Sequence, residues 1–259
     1  MTTAPLTVLV VGATGSIGRL VAAEAVAQGH TTRALVRDTG TARRLLPAEV
    51  QLAVGDITQP DTLREAVADV DAIVLTHGSM SSPETVDYGG VRNVLAALDG
   101  QKPRIVLMTA IGVTARSSAY NHLLEWKRRS ERLVRAGGLP YTIVRPGWFD
   151  MNDPDEQRPV FLQGDTRRSG GPADGAVSRR RIAQVLVAAV ATPEAARRTF
   201  ELVAEQGSAP SDMTQLFAAL DEDAPGALDA VRDEDNMPPE REPQPVRDDL
   251  AALVTRAGS

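Results

Sequence analysis

The most constraining feature of this sequence is an apolar run that leads into a turn with three evenly spaced glycines. The run, residues 6–11, is rich in β-branched side chains and predicts a buried strand. Apolar residues recur at helical spacing after the turn, up to Gly29. Such glycines let the backbone approach a ligand closely, and the helix N-terminus offers N–H groups and a positive dipole end to phosphate. The turn therefore predicts a dinucleotide site formed by Gly12, Thr14, Gly15, Ser16, Ile17, Gly18 and Arg19.

Strand and helix patterns alternate along the chain after this turn. Such alternation predicts a parallel sheet covered by helices on both faces. The expected fold is a Rossmann-type, doubly wound α/β sheet with strand order 3-2-1-4-5-6. Further strands are predicted at 32–37, 50–54, 72–76, 104–109 and 141–145, and helices near 41–46, 61–67, 83–98 and 119–136.

The character of the sequence changes after residue 145. Residues 146–175 are rich in Pro, Gly, Asp and Arg and predict a long loop, in which residues 150–175 form a mobile cover over the substrate side. Ser178 is the expected N-cap of a further helix. An edge strand is predicted at 199–203.

The C-terminal part is acidic and proline-rich from Asp221 onward, with weak periodicity. It is expected to wrap the body or to be partly disordered. The predicted organisation is one Rossmann domain, 1–205, with a substrate-side loop at 148–177. A C-terminal helix and tail, 206–259, pack on this domain or trail from it.

Composition excludes several classes of protein. The chain has no cysteine, and its three histidines lack metal-binding spacing, so no metal site is predicted. A formal net charge of −6 argues against nucleic-acid binding. No signal peptide and no membrane-length apolar run is recognised. These features favour a cytoplasmic protein that acts on a small molecule, with neither nucleic acid nor membrane as a partner.

The end of the second strand bears on the choice of cofactor. NAD-binding proteins usually place an acid there, whereas NADP-binding proteins place arginines near the 2′-phosphate. Arg37 occupies this position, which favours NADP(H), while the adjacent Asp38 keeps NAD(H) as an alternative. After the third strand, Asp56 and Ile57 are interpreted either as a bracket for the adenine ring or as a capped turn.

Several segments together resemble an atypical short-chain dehydrogenase/reductase, of the NmrA-like or NAD(P)-binding epimerase-like kind. They are Val-Val-Gly-Ala-Thr-Gly-Ser-Ile-Gly-Arg (10–19), Ala-Leu-Val-Arg (34–37), Gly-Asp (55–56), Tyr-Thr-Ile-Val-Arg-Pro-Gly (141–147) and Val-Ser-Arg-Arg-Arg-Ile-Ala (177–183). The resemblance spans roughly residues 5 to 205. Because this scaffold carries many reactions, the site has to decide the function.

The resemblance implies where the nicotinamide end of the cofactor lies. Thr76, His77 and Gly78 are expected beside the nicotinamide ribose. Thr109 and Ala110 fall where the family often holds its catalytic serine. The backbone of Pro146 and Gly147 is expected near the carboxamide.

The family's catalytic pair, Tyr-x-x-x-Lys, is incomplete here. Lys127 matches the lysine, but Leu123 stands four residues before it. Tyr120 is a substitute displaced by about 4.5 Å along the helix axis and about 60° around it. His77 and His122 are alternative proton donors, and Thr109 could hydrogen-bond a carbonyl. The neighbouring Arg128, Arg129 and Arg132 predict a solvated helix face or an interface.

Two functions remain open at this stage. The first is an NADP(H)-dependent oxidoreductase, or an epimerase or isomerase, that acts on a small organic carbonyl or hydroxyl substrate without the usual tyrosine. Lys127 and the long loop support it. The second is a non-enzymatic NADP(H) sensor of the NmrA-like kind, which the missing tyrosine supports. A homodimer is compatible with either function.

Overall fold

The computed structural model describes residues 4–116 and 120–257. The strands are β1 (Thr7–Val11), β2 (Thr31–Val36), β3 (Gln51–Val54), β4 (Ala72–Leu75), β5 (Arg104–Met108), β6 (Tyr141–Pro146), β7 (Trp148–Phe149), β8 (Arg158–Leu162), β9 (Ala176–Val177) and β10 (Arg198–Glu205). The main sheet has eight strands in the order β3-β2-β1-β4-β5-β6-β10-β8, and β7 pairs with β9 in a small second sheet. All neighbours in the main sheet are parallel except β10 and β8.

Helices cover both faces of this sheet. They are α1 (Gly18–Ala27), α2 (Thr39–Leu45), α3 (Arg64–Val67), α4 (Gly89–Ala97), α5 (Asn121–Ala136), α6 (Arg179–Ala191), α7 (Thr214–Ala218) and α8 (Gln244–Ala257). A π-helical turn, Glu84–Tyr88, leads into α4. Short 3₁₀ turns occupy Pro60–Thr62, Pro172–Asp174, Pro193–Ala195 and Pro239–Arg241.

The alternation of side chains along β1 explains why both faces of the sheet are covered. Val8 and Val10 belong to the core shared with α1 and α6, whereas Leu9 and Val11 belong to the core shared with α3, α4 and α5. Because successive strand residues point to opposite faces, an uninterrupted apolar strand needs helices on both sides. The predicted Rossmann-type fold and the order of its first six strands are confirmed.

Two predictions for the later part of the chain are wrong. The strand expected at 199–203 is β10, which lies inside the sheet between β6 and β8. The expected loop at 146–175 contains β8, because Phe161 packs 4.2 Å from Phe200 and 5.1 Å from Phe217 between ring centroids. Ser178 is confirmed as the N-cap of α6, since its hydroxyl accepts the Arg181 N–H at 3.2 Å. Residue 119 of the predicted helix at 119–136 lies outside the described residues.

The acidic C-terminal segment packs against α5. Residues 221–243 are largely irregular, yet Asp223 and Glu242 are buried. The α8 helix then contributes Val246 and Leu250 to the core on the α5 side of the sheet. The described part of this segment is therefore ordered and wraps the body, so the partly disordered alternative is wrong for residues 221–257.

Buried ion pairs attach this segment to α5. Arg132 contacts Asp229 at 2.6 Å and Glu242 at 2.8 Å, and its side chain is 0% exposed. Arg128 also contacts Asp229, at 3.0 Å, and donates to the Asn236 side chain at 2.5 Å. The expectation of a solvated arginine face is therefore wrong, because residues 229–242 cover these guanidinium groups with matching carboxylates.

A second group of buried charges centres on Glu131 of α5. Its carboxylate contacts Arg145 of β6 at 2.7 Å and Arg135 at 3.4 Å. Arg145 also contacts Asp233 at 2.6 Å and Glu201 at 3.3 Å. Burial raises the pKa of Glu201 to about 7, although Arg145 opposes this effect. One guanidinium thus joins the helix, the sheet and the C-terminal segment.

Removing Arg145 should strongly destabilise the fold. Arg145→Ala leaves the buried carboxylate of Asp233 without its cation and Glu131 with Arg135 alone, and breaking a buried pair in this way typically costs about 3–5 kcal/mol in the free energy of unfolding. Urea denaturation followed by circular dichroism measures this loss. The matched control is Arg232→Ala, which breaks the half-exposed pair with Asp221 and should cost less than about 1 kcal/mol. Equal losses in the two variants would show that the buried network does not support the fold.

Candidate functional site

The turn after β1 leaves no room for a side chain at its glycine positions. Gly12 has φ of +82°, in the left-handed region. The Gly15 N–H donates to the Gly12 carbonyl at 2.9 Å, which closes the turn. A Cβ at Gly18 would lie 2.1 Å from that same oxygen. A Cβ at Gly12 would lie 2.8 Å from the backbone nitrogen of His77. The three glycines therefore keep the β1–α1 turn and the β4 end in close contact.

A cleft of about 380 Å³ lies over this turn at the carboxyl ends of β1 to β4. The predicted binding residues that line it are Gly12, Thr14, Gly15, Arg37, Asp56, Ile57, Thr76, His77 and Gly78. Nδ1 of His77 is buried and has no hydrogen-bond partner within the described ranges. The glycine cradle, in which a Cβ at Gly12 or Gly18 would collide with backbone atoms, fits the pyrophosphate of a dinucleotide.

Four residues of the predicted turn lie outside the cleft lining. The Ile17 side chain belongs to the core and is 3% exposed, so only its backbone is available to a ligand. Gly18 is packed within the turn and begins α1, two residues later than the expected start near Ser16. Ser16 and Arg19 are exposed beside it. The participation of Ile17, through its backbone, stays a prediction.

The two acidic residues near Arg37 are both engaged in local turns. Asp38 is the N-cap of α2, where its carboxylate accepts the Thr41 N–H at 2.7 Å. Asp56 accepts the backbone N–H and the hydroxyl of Thr58, at 2.9 and 2.8 Å. The Thr58 backbone N–H lowers the pKa of Asp56, and the Arg37 charge adds to the effect. Asp56 thus caps a turn and also lines the cleft.

Lys127 lies in a buried ion pair that sequence reasoning missed. Its Nζ lies 2.6 Å from Oδ1 of Asp87, whose side chain is 3% exposed, and Oδ2 of Asp87 accepts the Ser79 N–H at 2.8 Å. A Cβ on Gly78 would lie 3.4 Å from the lysine nitrogen. Lys127 therefore supports the strand-end loop at 76–79 from behind. The signal that could have indicated this pair in the sequence is the carboxylate between Val86 and Tyr88, within a helix predicted to be apolar.

His77 does not have the properties of a proton donor at neutral pH. Desolvation lowers its pKa to about 4, and the nearby Asp87 carboxylate opposes this shift only in part. Its ring packs against Gly90, where a Cβ would lie 3.0 Å from Nε2. A neutral, enclosed imidazole can hydrogen-bond to a ligand in the cleft, but the interpretation as a general acid is contradicted.

A second cavity, of about 440 Å³, lies beside the cleft. Consecutive residues join the two cavities, since Ser79 lines the cleft and Met80 lines the cavity. Leu123 lines the cavity at the position expected for the tyrosine, and Tyr120 reaches it with 44% of its surface exposed. The rest of the lining is mainly apolar and includes Ala110, Ile111, Leu124, Pro146, Gly147, Trp148 and Phe149.

Three predicted site residues are placed differently from expectation. Pro146 and Gly147 line the apolar cavity instead of the cleft. Thr109 is buried, and its hydroxyl donates to Glu131 at 2.7 Å. Because that hydroxyl belongs to the buried ion network, the interpretation of Thr109 as a serine equivalent is contradicted. His122 is exposed near the start of α5.

Comparison with known proteins identifies the class of this chain. The family model described as NAD(P)H-binding matches residues 12–193, which include the glycine turn, both cavities and α6. The chain therefore belongs to this NAD(P)H-binding family. The resemblance to atypical short-chain dehydrogenase/reductases is thereby confirmed, as is NAD(P)H as the cofactor class.

Relatives and solved structures agree with this family. A chloroplastic protein of Arabidopsis thaliana is 28% identical, over 85% of this chain and 77% of its own length. The NAD(P)H azoreductase of Xenophilus azovorans is 28% identical, over 82% and 73%. Sanguinarine reductase of Eschscholzia californica is 25% identical, over 83% and 96%. A Bacillus halodurans structure described as a putative NAD-dependent epimerase/dehydratase has a TM-score of 0.68 at 22% identity, over 82% and 99%.

Within residues 4–116 and 120–257, no group of three or more His, Asp or Glu side chains is arranged to hold a metal ion. Within the same residues, none of the helices has the length and apolarity needed to cross a membrane.

Adding a methyl group at Gly18 should weaken cofactor binding. Gly18→Ala places a Cβ against the Gly12 carbonyl, so the turn must open and its N–H groups lose their arrangement. We expect NADPH affinity to fall more than about tenfold, as measured by titration calorimetry. Gly171→Ala is the matched control, because a Cβ there meets no atom within 4 Å. Wild-type affinity in Gly18→Ala would contradict the assignment of the cleft.

Proposed function

We propose that this chain is an NADP(H)-dependent oxidoreductase that reduces an apolar, aromatic organic substrate without a tyrosine acid. The observation that carries the proposal is the apolar 440 Å³ cavity directly beside the cofactor cleft. The names of two relatives, an azoreductase and sanguinarine reductase, support a reductase. When bound, the nicotinamide cofactor supplies the hydride.

The preference for the phosphorylated cofactor rests on how Arg37 and Asp38 are used. Arg37 is exposed and lines the cleft at the end of β2, where the adenosine ribose lies in such folds. Asp38, the residue that would bind unphosphorylated ribose, instead caps α2. The arrangement favours a 2′-phosphate, because a guanidinium can donate two hydrogen bonds to it.

Replacing Arg37 should remove the preference for NADPH. We expect Arg37→Ala to weaken NADPH binding by about ten- to a hundredfold, the value of a charge-assisted contact, and to leave NADH nearly unchanged. Titration calorimetry with both cofactors measures this. Asp38→Ala is the control: it should cost about 1 kcal/mol of stability as a lost helix cap and should preserve the preference. Equal binding of NADH and NADPH by the wild type would reject the phosphate role.

The residues around the cavity also constrain the chemistry. A general acid must lie within hydrogen-bond reach of the substrate and hold a transferable proton. Leu123 has none, the Thr109 hydroxyl is committed to Glu131, and His77 is neutral in the cleft. Asp174 also lines the cavity, but its two carboxylate oxygens accept the backbone N–H groups of Ser169 and Gly170 at 2.7 Å. The phenol of Tyr120, which is 44% exposed, is the other candidate among the described lining residues. We therefore propose substrates that accept hydride on a conjugated, electron-poor centre and take any proton from water.

Lys127 contributes through its position in this scheme. Its ammonium group is held by Asp87 behind the loop at 76–79, which lines the cleft. The ion pair holds in place the loop that we assign to the nicotinamide ribose, and its two charges neutralise each other. Leu123, one helical turn earlier, presents an apolar surface to the substrate.

Removing the phenol of Tyr120 should have a small effect on turnover. We expect Tyr120→Phe to lower kcat less than tenfold, whereas loss of a general acid typically costs about 10²–10⁴-fold. NADPH consumption at 340 nm with quinone, azo and aromatic iminium substrates measures this, with aliphatic ketones as the control class. A larger loss would identify Tyr120 as the acid. NADPH binding without consumption of any substrate would favour the NmrA-like sensor function.

A further inference from the structure

Arg179 lies at the point where the glycine turn meets the apolar cavity. It is the first residue of α6, and its Nε donates to the Ser16 hydroxyl at 3.3 Å. Its guanidinium lies 5.2 Å above the centre of the Phe149 ring, and its side chain lines the cavity. Helix α6 packs against α1. The Arg179 cation at its start therefore lies beside the turn from which α1 begins.

The Arg179 charge is balanced by one neighbour, Asp150. The guanidinium forms an ion pair with Oδ2 of Asp150, while Oδ1 accepts the Arg179 backbone N–H at 2.8 Å. The two side chains are 36% and 49% exposed, so water competes for both. Exposed pairs of this kind contribute at most about 1 kcal/mol, and a better anion can replace the carboxylate.

The ligand of the adjoining turn is a better anion. A dinucleotide pyrophosphate binds at the N-terminus of α1, and arginine binds phosphate oxygens with paired donors. The chain carries a formal net charge of −6, so its overall field repels a polyanionic cofactor. Local cations must offset this repulsion, and Arg37 follows β2, a different strand from the one that leads into the turn.

We propose that Arg179 is a side-chain ligand of the cofactor pyrophosphate, and that Asp150 competes with the pyrophosphate for it. The cofactor pyrophosphate therefore displaces the Asp150 carboxylate from the Arg179 guanidinium when it binds. Asp150 directly follows Trp148 and Phe149, which line the cavity, so this exchange also loosens the outer wall of the substrate site. The inference rests on the family's NAD(P)H binding, and it does not depend on the proposed substrate or on the NADP preference.

Three variants test the exchange by titration with NADPH, NADH and 2′-phospho-ADP-ribose. Arg179→Gln should weaken all three about tenfold, because the pyrophosphate is common to them. Arg180→Gln removes the same charge from the exposed neighbouring residue and should stay within about twofold. Asp150→Asn keeps an oxygen for the Arg179 backbone N–H but removes the competing charge. Asp150→Asn should tighten cofactor binding about threefold, because Arg179 is then more often free of residue 150 and available to the pyrophosphate.

The outcomes separate this inference from its alternatives. Unchanged cofactor affinity in Arg179→Gln would overturn it, as would equal weakening by Asp150→Asn, which would make the pair a purely structural contact. An effect of Arg179→Gln confined to NADPH would also overturn it, because that pattern belongs to a 2′-phosphate ligand. If the wild type reduces no substrate but Arg179→Gln still weakens both cofactors, the proposed function fails and the pyrophosphate contact stands.

Discussion

The buried carboxylate of Glu131 holds together the parts of this protein that form the site. It accepts the Thr109 hydroxyl at the end of β5, pairs with Arg145 of β6, and lies on the helix that carries Lys127. A buried charge is stable only when it is paired and hydrogen-bonded, so each contact fixes one element relative to the others. These contacts therefore position the ends of β5 and β6, from which Ala110 and Pro146 continue into the lining of the apolar cavity.

The two cavities differ in character. The cleft over the glycine turn is lined by the turn itself, by Arg37 and by Asp56. The neighbouring cavity presents Leu123, Trp148 and Phe149. The Lys127–Asp87 pair lines neither cavity and supports the loop at 76–79 that connects them.

The sequence was most informative where the structure depends on local pattern. The glycine turn, the first six strands and the Ser178 cap follow from neighbouring residues, and each lies within about two residues of its expected place. Contacts between distant residues could not be inferred in this way. Asp87 meets Lys127 across 40 positions, and Thr109 meets Glu131 across 22. The β8 strand likewise depends on the packing of Phe161 against Phe200 and Phe217, which no local signal contains.

The buried arginines of α5 also have a consequence for how the chain is made. Arg128 pairs with a carboxylate 101 positions later, and Arg132 with one 110 positions later. During vectorial synthesis the ribosome emits the cations long before the anions, so α5 must keep its guanidinium groups in water until residues 229–242 emerge. The sheet can begin to assemble earlier, but this helix cannot dock with its charges neutralised until residues 229–242 have left the exit tunnel.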